Sequence, residues 1–203
     1  ATLFPYTTLF RSARARAVQG LLLGFFDGVS PEQLQGRVIS ARELVLTGGD
    51  RAEANLAAQP PLRAEMLATT GRLLAKLADY RAAQQRLQRA VDLYEAQGLD
   101  DTHAALEARL GLADVYQSVH QADAARREVD QVLARAAARR GPVDALVLRA
   151  QVLKANVLTY QGQPEAALAL AAEVTAPRGD AVSPAEHALY RRMALNEIGR
   201  AHV

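Results

Sequence analysis

Three stretches decide the fold: GRLLAKLADYRAAQQRLQRAV at 71–91, ADVYQSVHQADAARREVDQVL at 113–133, and ANVLTYQGQPEAALALAAEVT at 155–175. They superpose without a gap at a constant offset of 42 residues. Down the columns stand Gly71/Ala113/Ala155, Leu74/Tyr116/Leu158, Ala83/Ala125/Ala167, Leu87/Val129/Ala171 and Ala90/Val132/Val174. Small residues on facing helices let two backbones approach, and the larger apolar ones fill the gap between them. One such unit has too little core to stand alone, so the period predicts a stack of neighbours.

Around these stretches helix signals dominate. Ala-, Leu-, Arg-, Glu- and Gln-rich segments carry apolar residues at three- and four-residue spacing, and strand formers never alternate for long. Turn and cap signals fall at Gly28–Pro31, Gln59–Pro61, Gly98–Thr102, Gly141-Pro142, Gln161–Pro164 and Pro177–Pro184. The 203 residues suit one domain or one array, and 23% charged residues argue against wholesale disorder. Lys and Arg number 24 against 22 Asp and Glu, so no surplus of basic charge points to nucleic acid. The absence of cysteine excludes disulfides, thiolate zinc sites and cysteine nucleophiles.

The three units resemble tetratricopeptide repeats: a small residue and a leucine or aromatic in helix A, a turn, then two small residues seven apart in helix B. Ala83 and Ala90 give that spacing fully, while Val132 and Val174 take the second place in the other units. The period of 42 exceeds the usual 34 and is similar to a longer variant with extended helices. Asp100-Asp101-Thr102-His103 is similar to that variant's Asp-Asp-His-Pro linker, with Thr102 as an insertion and the proline replaced. The resemblance implies an all-α fold, a right-handed superhelix of antiparallel helical hairpins.

Upstream, Val18–Asp27 and Ile39–Val45, with Gly48, Glu53, Leu56 and Gln59-Pro60, resemble the segment before the repeats in bacterial receptor-like serine/threonine protein kinases. The match spans 17–103 and departs at Leu46-Thr47 and at Gly49, which weakens a helix by about 1 kcal/mol relative to alanine. It implies a membrane-anchored parent with this region on the extracytoplasmic side of the bacterial inner membrane. The alternative parent is a soluble transcriptional regulator or other signalling protein, which would be cytoplasmic. Residues 2–12 and 197–203 can be written in codons that match sequencing adapters, so 1–12 and 197–203 are expected to be non-native tails. The expected layout is a helical segment at 13–59, three repeats at 60–176 and the start of a severed fourth at 177–196.

No catalytic, cofactor or metal site is expected. There is no glycine-rich nucleotide loop, no His-Arg-Asp loop and no Asp-Phe-Gly motif; Phe26-Asp27-Gly28 carries only the last two letters. Among the histidines, His120 reads as a solvated turn residue and His103 as a linker or cap residue, and none has metal-ligand spacing. Asp100-Asp101 reads as dipole stabilisation ahead of a helix. Arg14, Arg16, Arg126-Arg127, Arg135 and Arg139-Arg140 are interleaved with alanine and acids and lack stacking aromatics, so they read as solvated faces rather than a nucleic-acid surface. The longest apolar run, Leu21–Phe26, is far short of the roughly 20 residues of a membrane span. Phe25-Phe26 reads as packing rather than membrane contact.

What remains is a groove. The resemblance implies that helix A of each hairpin lines a concave face, which selects Glu65, Ala68, Arg72 and Lys76 from the first unit. The second offers Glu107, Leu110, Asp114 and Gln117, and the third Arg149, Val152, Asn156 and Tyr160. Their charges balance, so electrostatics does not select an acidic or a basic ligand. The expected partner is a protein or peptide segment. The competing reading is a face that binds nothing and only spaces neighbouring domains.

Overall fold

A computed structural model describes residues 39–138, 145–175 and 184–201. They form α1 (Ala41–Asn55), α2 (Pro60–Lys76), α3 (Tyr80–Ala96), α4 (His103–Ser118), α5 (Ala122–Ala138), α6 (Ala145–Tyr160), α7 (Pro164–Thr175) and α8 (Pro184–Ala201). Among the described residues there is no strand, and no helix is long and apolar enough to cross a membrane. The expected tail at 1–12, the Val18–Asp27 segment with Phe25-Phe26, Arg14 and Arg16, and the Arg139-Arg140 pair lie outside the described residues. The backbone of α8 runs past residue 196 to Ala201. Between Asp100 and Asp101 the chain divides into two compact units.

In the first unit α2 packs against α1 and α3. Ser40 caps α1 by accepting from the Glu43 amide at 3.2 Å, and Asp79 caps α3 by accepting from the Ala82 amide at 3.2 Å. Pro60 opens α2, where its missing N–H costs nothing. Gly71 is the point of closest approach: a Cβ there would lie 2.7 Å from Leu87 Cγ and 3.2 Å from the Ala83 carbonyl. Gly49 has a similar cause. A Cβ on it would meet Arg86 Nη1 at 2.8 Å and Thr70 Cγ2 at 3.0 Å. The weak helix former is thus the residue that lets α3 lay a guanidinium across α1. Arg86 Nη2 donates to the Leu46 carbonyl at 3.2 Å and to Asp50 Oδ1 at 2.5 Å.

In the second unit α4 packs on α5 and α6, α5 on α6, α6 on α7 and α8, and α7 on α8. Thr102, the residue that reads as an insertion, is the N-cap of α4, and its Oγ1 accepts from the Ala105 amide at 3.3 Å. Leu106, Leu110, Ala113, Val129, Val132, Leu146, Ala150 and Leu153 form one apolar cluster. Val152 joins Leu148, Ala171, Val174 and Ala194 in a second. Every column residue of the three aligned stretches is buried except Tyr116, which is half-buried. Arg109, 3% exposed, is neutralised inside the α4–α5 hairpin by Glu128 at 2.7 Å.

Helices α2, α4 and α6 end in the same way. After α2 the Ala78 amide donates to the Ala75 carbonyl, and Asp79 donates to Leu74. His120 and Gln121 repeat this to Gln117 and Tyr116, and Gly162 and Gln163 to Thr159 and Leu158. This pair of reversed bonds requires a left-handed residue after the cap. The three residues have φ of 59°, 60° and 71°, and only Gly162 is a glycine; α3 ends on the same pair of bonds, with Gly98 at φ 64°.

Candidate functional site

The first unit places Glu65, Arg72 and Lys76 on α2, spaced 7 and 4 residues apart, which brings them to one stripe of the helix. Arg72 is half-buried, with Nη2 3.4 Å from Thr69 Oγ1, and Thr69 in turn donates to the Glu65 carbonyl at 2.9 Å. Lys76 is exposed at the end of α2.

In the second unit three of the eight expected residues meet. Arg149 of α6 donates through Nη1 to Glu107 Oε2 at 2.9 Å and through Nη2 to Asp114 Oδ2 at 2.5 Å, both on α4. One guanidinium thus faces two carboxylates and holds α6 against α4. Burial raises the Asp114 pKa above its ordinary value; the Arg149 charge and hydrogen bond pull it back in part, and Glu107 pushes it up again. For Arg149 burial works against the charge, but Asp114 and Glu107 outweigh it, so its pKa rises.

One turn beyond Asp114 on α4, Gln117 lines a pocket of about 150 Å³ with His120, Ala122, Val157 and Tyr160. The His120 and Tyr160 rings meet edge-on, with centroids 6.4 Å apart and planes at 66°. Tyr160 is 62% exposed. Gln161 fixes the adjoining rim: its amide donates to Asp123 Oδ1 at 2.6 Å and accepts from Arg126 Nη1 at 3.1 Å. Asn156 is half-buried on the same helix, between Arg149 and Tyr160 in sequence.

Some expectations fail. Ala68, Leu110 and Val152 are 2%, 0% and 2% exposed, so they are core residues and offer no ligand contact. Each lies three residues after its charged neighbour, a step that leaves a helix 60° short of a full turn and carries the side chain into the packed flank. His120 is exposed but is also a pocket wall, which its turn position alone did not signal; the only sequence cue was its alignment with Gly162. Arg126 is more than a solvated charge, since it reaches Gln161 and lies 3.7 Å from Asp130. Arg86 and Arg109, buried and paired, were missed, because an arginine's burial depends on partners 36 and 19 residues away. Among the described residues no group of three or more His, Asp or Glu side chains is placed to hold a metal ion.

No protein-family model and no curated protein matches the chain. Two solved structures are similar to it: the nearly identical TPR-like repeats assigned to a Podosopora anserina kinesin light chain, and a single-residue variant of the same protein. The first superposes with a TM-score of 0.62 at 21% identity, and the second with 0.65 at 20%. Each alignment covers 95% of this chain and 84% of the other. At that identity the likeness speaks for the fold alone, and the fold is a TPR-like array of helical hairpins.

Proposed function

We propose that this chain is a protein-interaction or sensor module that reads a peptide or protein segment with the polar faces of its A helices. The observation that carries the reading is the meeting of Glu107, Asp114 and Arg149, with Gln117 and Tyr160 opening a pocket beside them. A spacer has no need of an open pocket lined by polar and aromatic side chains from α4 and α6. The resemblance of residues 17–103 supports a bacterial membrane-anchored serine/threonine kinase as the parent. A longer read of the same gene separates that parent from a soluble regulator. A kinase signature followed by one apolar span of about 20 residues supports the first, and a DNA-binding domain upstream supports the second.

The module is tested by panning the purified chain against a displayed peptide library. Arg72→Ala combined with Asn156→Ala is expected to weaken the selected peptides at least tenfold, about 1.4 kcal/mol. The controls are Arg81→Ala and Arg127→Ala, both exposed on the partner helices α3 and α5. Arg89 and Arg126 do not serve, because Arg89 pairs with Glu53 at 2.9 Å and Arg126 with Gln161. Binding that depends on the control pair and ignores Arg72 and Asn156 would move the site to another face. Incubation with ATP, Mg²⁺ and a generic protein substrate is expected to give no phosphate transfer, and reproducible transfer would overturn the non-catalytic reading.

A further inference from the structure

The second unit shows which kind of segment fits. Its pocket of about 150 Å³ is smaller than the roughly 300–1,000 Å³ of small-molecule sites, and it suits a single side chain. Val157, Ala122 and the two aromatic rings make its wall largely apolar, while the Gln117 amide supplies one donor and one acceptor. His120 holds a left-handed backbone at φ 60°, where the equivalent Gly162 has no side chain to strain. A left-handed conformation strains an L residue, and here that residue contributes a ring to the cavity.

Charge decides the rest of the occupant. Arg149 is the single cation bonded to Glu107 and Asp114, so this cluster carries one net negative charge one turn from the pocket. Asp114 keeps 45% of its side chain exposed, within reach of a ligand. Lys154 pairs with Asp130 at 2.6 Å, and Arg126 lies 3.7 Å from the same carboxylate and donates to Gln161.

We propose that the α4–α6 face of the second unit binds an extended peptide by seating one compact apolar side chain between His120, Val157 and Tyr160. A lysine or arginine a few residues away in that peptide pairs with Asp114 and Glu107. The proposal rests on the interaction-module reading and adds the chemistry of the partner.

The probes are two fluorescein-labelled peptide pools, each with a central leucine, methionine or proline. One pool carries lysine or arginine one to four positions away, and the other carries glutamate there. The basic pool is expected to bind at least tenfold more tightly to the full chain. Tyr160→Ala, and Ala122→Leu, which fills the pocket without touching a charge, should each weaken it about tenfold. Asp114→Asn should remove most of the preference between pools. Circular dichroism melts confirm that each variant is folded; should Ala122→Leu fail to fold, Tyr160→Ala tests the pocket, and should Asp114→Asn fail, Glu107→Gln tests the charge. Preference for the glutamate pool, or binding indifferent to Tyr160→Ala and Ala122→Leu, overturns this site. If those peptides still respond to Arg72→Ala and Asn156→Ala, the module survives with its site elsewhere. Binding of neither pool overturns this proposal, and the library panning then decides the module by itself.

Discussion

At the scale of single residues the left-handed turns give the sharpest test. Ala78 and His120 occupy a conformation that glycine adopts freely, at φ 59° and 60°. Relief of about 1–2 kcal/mol of strain exceeds the roughly 0.5–1 kcal/mol that glycine adds to unfolded-state entropy. Ala78→Gly and His120→Gly are therefore each expected to stabilise the chain by about 0.5–1 kcal/mol in urea unfolding, and Gly162→Ala to destabilise it similarly. Gly71→Ala runs the other way. Its helix-propensity gain of about 1 kcal/mol is outweighed by overpacking against Leu87, a loss of up to about 3 kcal/mol. Asp114 adds a pH dependence with a definite sign. An acid whose pKa is raised by folding holds its proton more tightly in the folded state. Its favourable contribution is therefore present at low pH and is lost as pH rises from the usual 3.8 through the raised folded value. Stability measured against Asp114→Asn should fall across that window with rising pH, and a rise would refute the burial argument. None of this was legible from spacing alone, because strain and burial belong to the backbone angle and the neighbours rather than to the residue type.

Among the helices, the α4–α5 hairpin carries a buried ion pair that neither neighbouring hairpin repeats. One period earlier the two positions are Leu67 and Arg86, and one period later Gln151 and Leu170, so each neighbour keeps a leucine at one of them. A buried pair returns little net stability, yet breaking it leaves a stranded charge and costs about 3–5 kcal/mol. Arg109→Leu or Glu128→Leu alone is therefore expected to lower the melting temperature strongly, while the double variant should recover most of the loss. A double variant as unstable as either single one would show that the pair holds the hairpin's geometry. The hairpins themselves were legible, because Ala83, Ala125 and Ala167 sit where a larger residue would push two helices apart. Which face of helix A meets solvent was less so: Ala68, Leu110 and Val152 looked like groove positions until the flanking helices covered them.

Over the whole chain, stacked hairpins stabilise one another through neighbours alone, so damage should stay near its source. Leu87→Ala opens a cavity in the first unit, where Leu87 is fully buried. Hydrogen exchange should speed most in α2 and α3 and least in α6 and α7; equal acceleration throughout would indicate a single cooperative block. The 42-residue period announced this organisation, since identical spacing of small residues admits one packing solution repeated. The division between Asp100 and Asp101 was not announced, because the Asp-Asp linker looks like any other inter-repeat turn.

The matching ends of α2, α4 and α6 make the chain divisible by whole repeats. Removing residues 121–162 joins His120 to Gln163, and because residue 121 is also glutamine, the turn keeps its sequence across the splice. Helix α4 would then fold back on α7, with Ala167 and Val174 taking the places of Ala125 and Val132. Leu170 would arrive opposite Arg109 in place of Glu128, so the shortened chain requires Arg109→Leu as well. The corner shared by the A helices thus marks where one repeat can be lifted out whole.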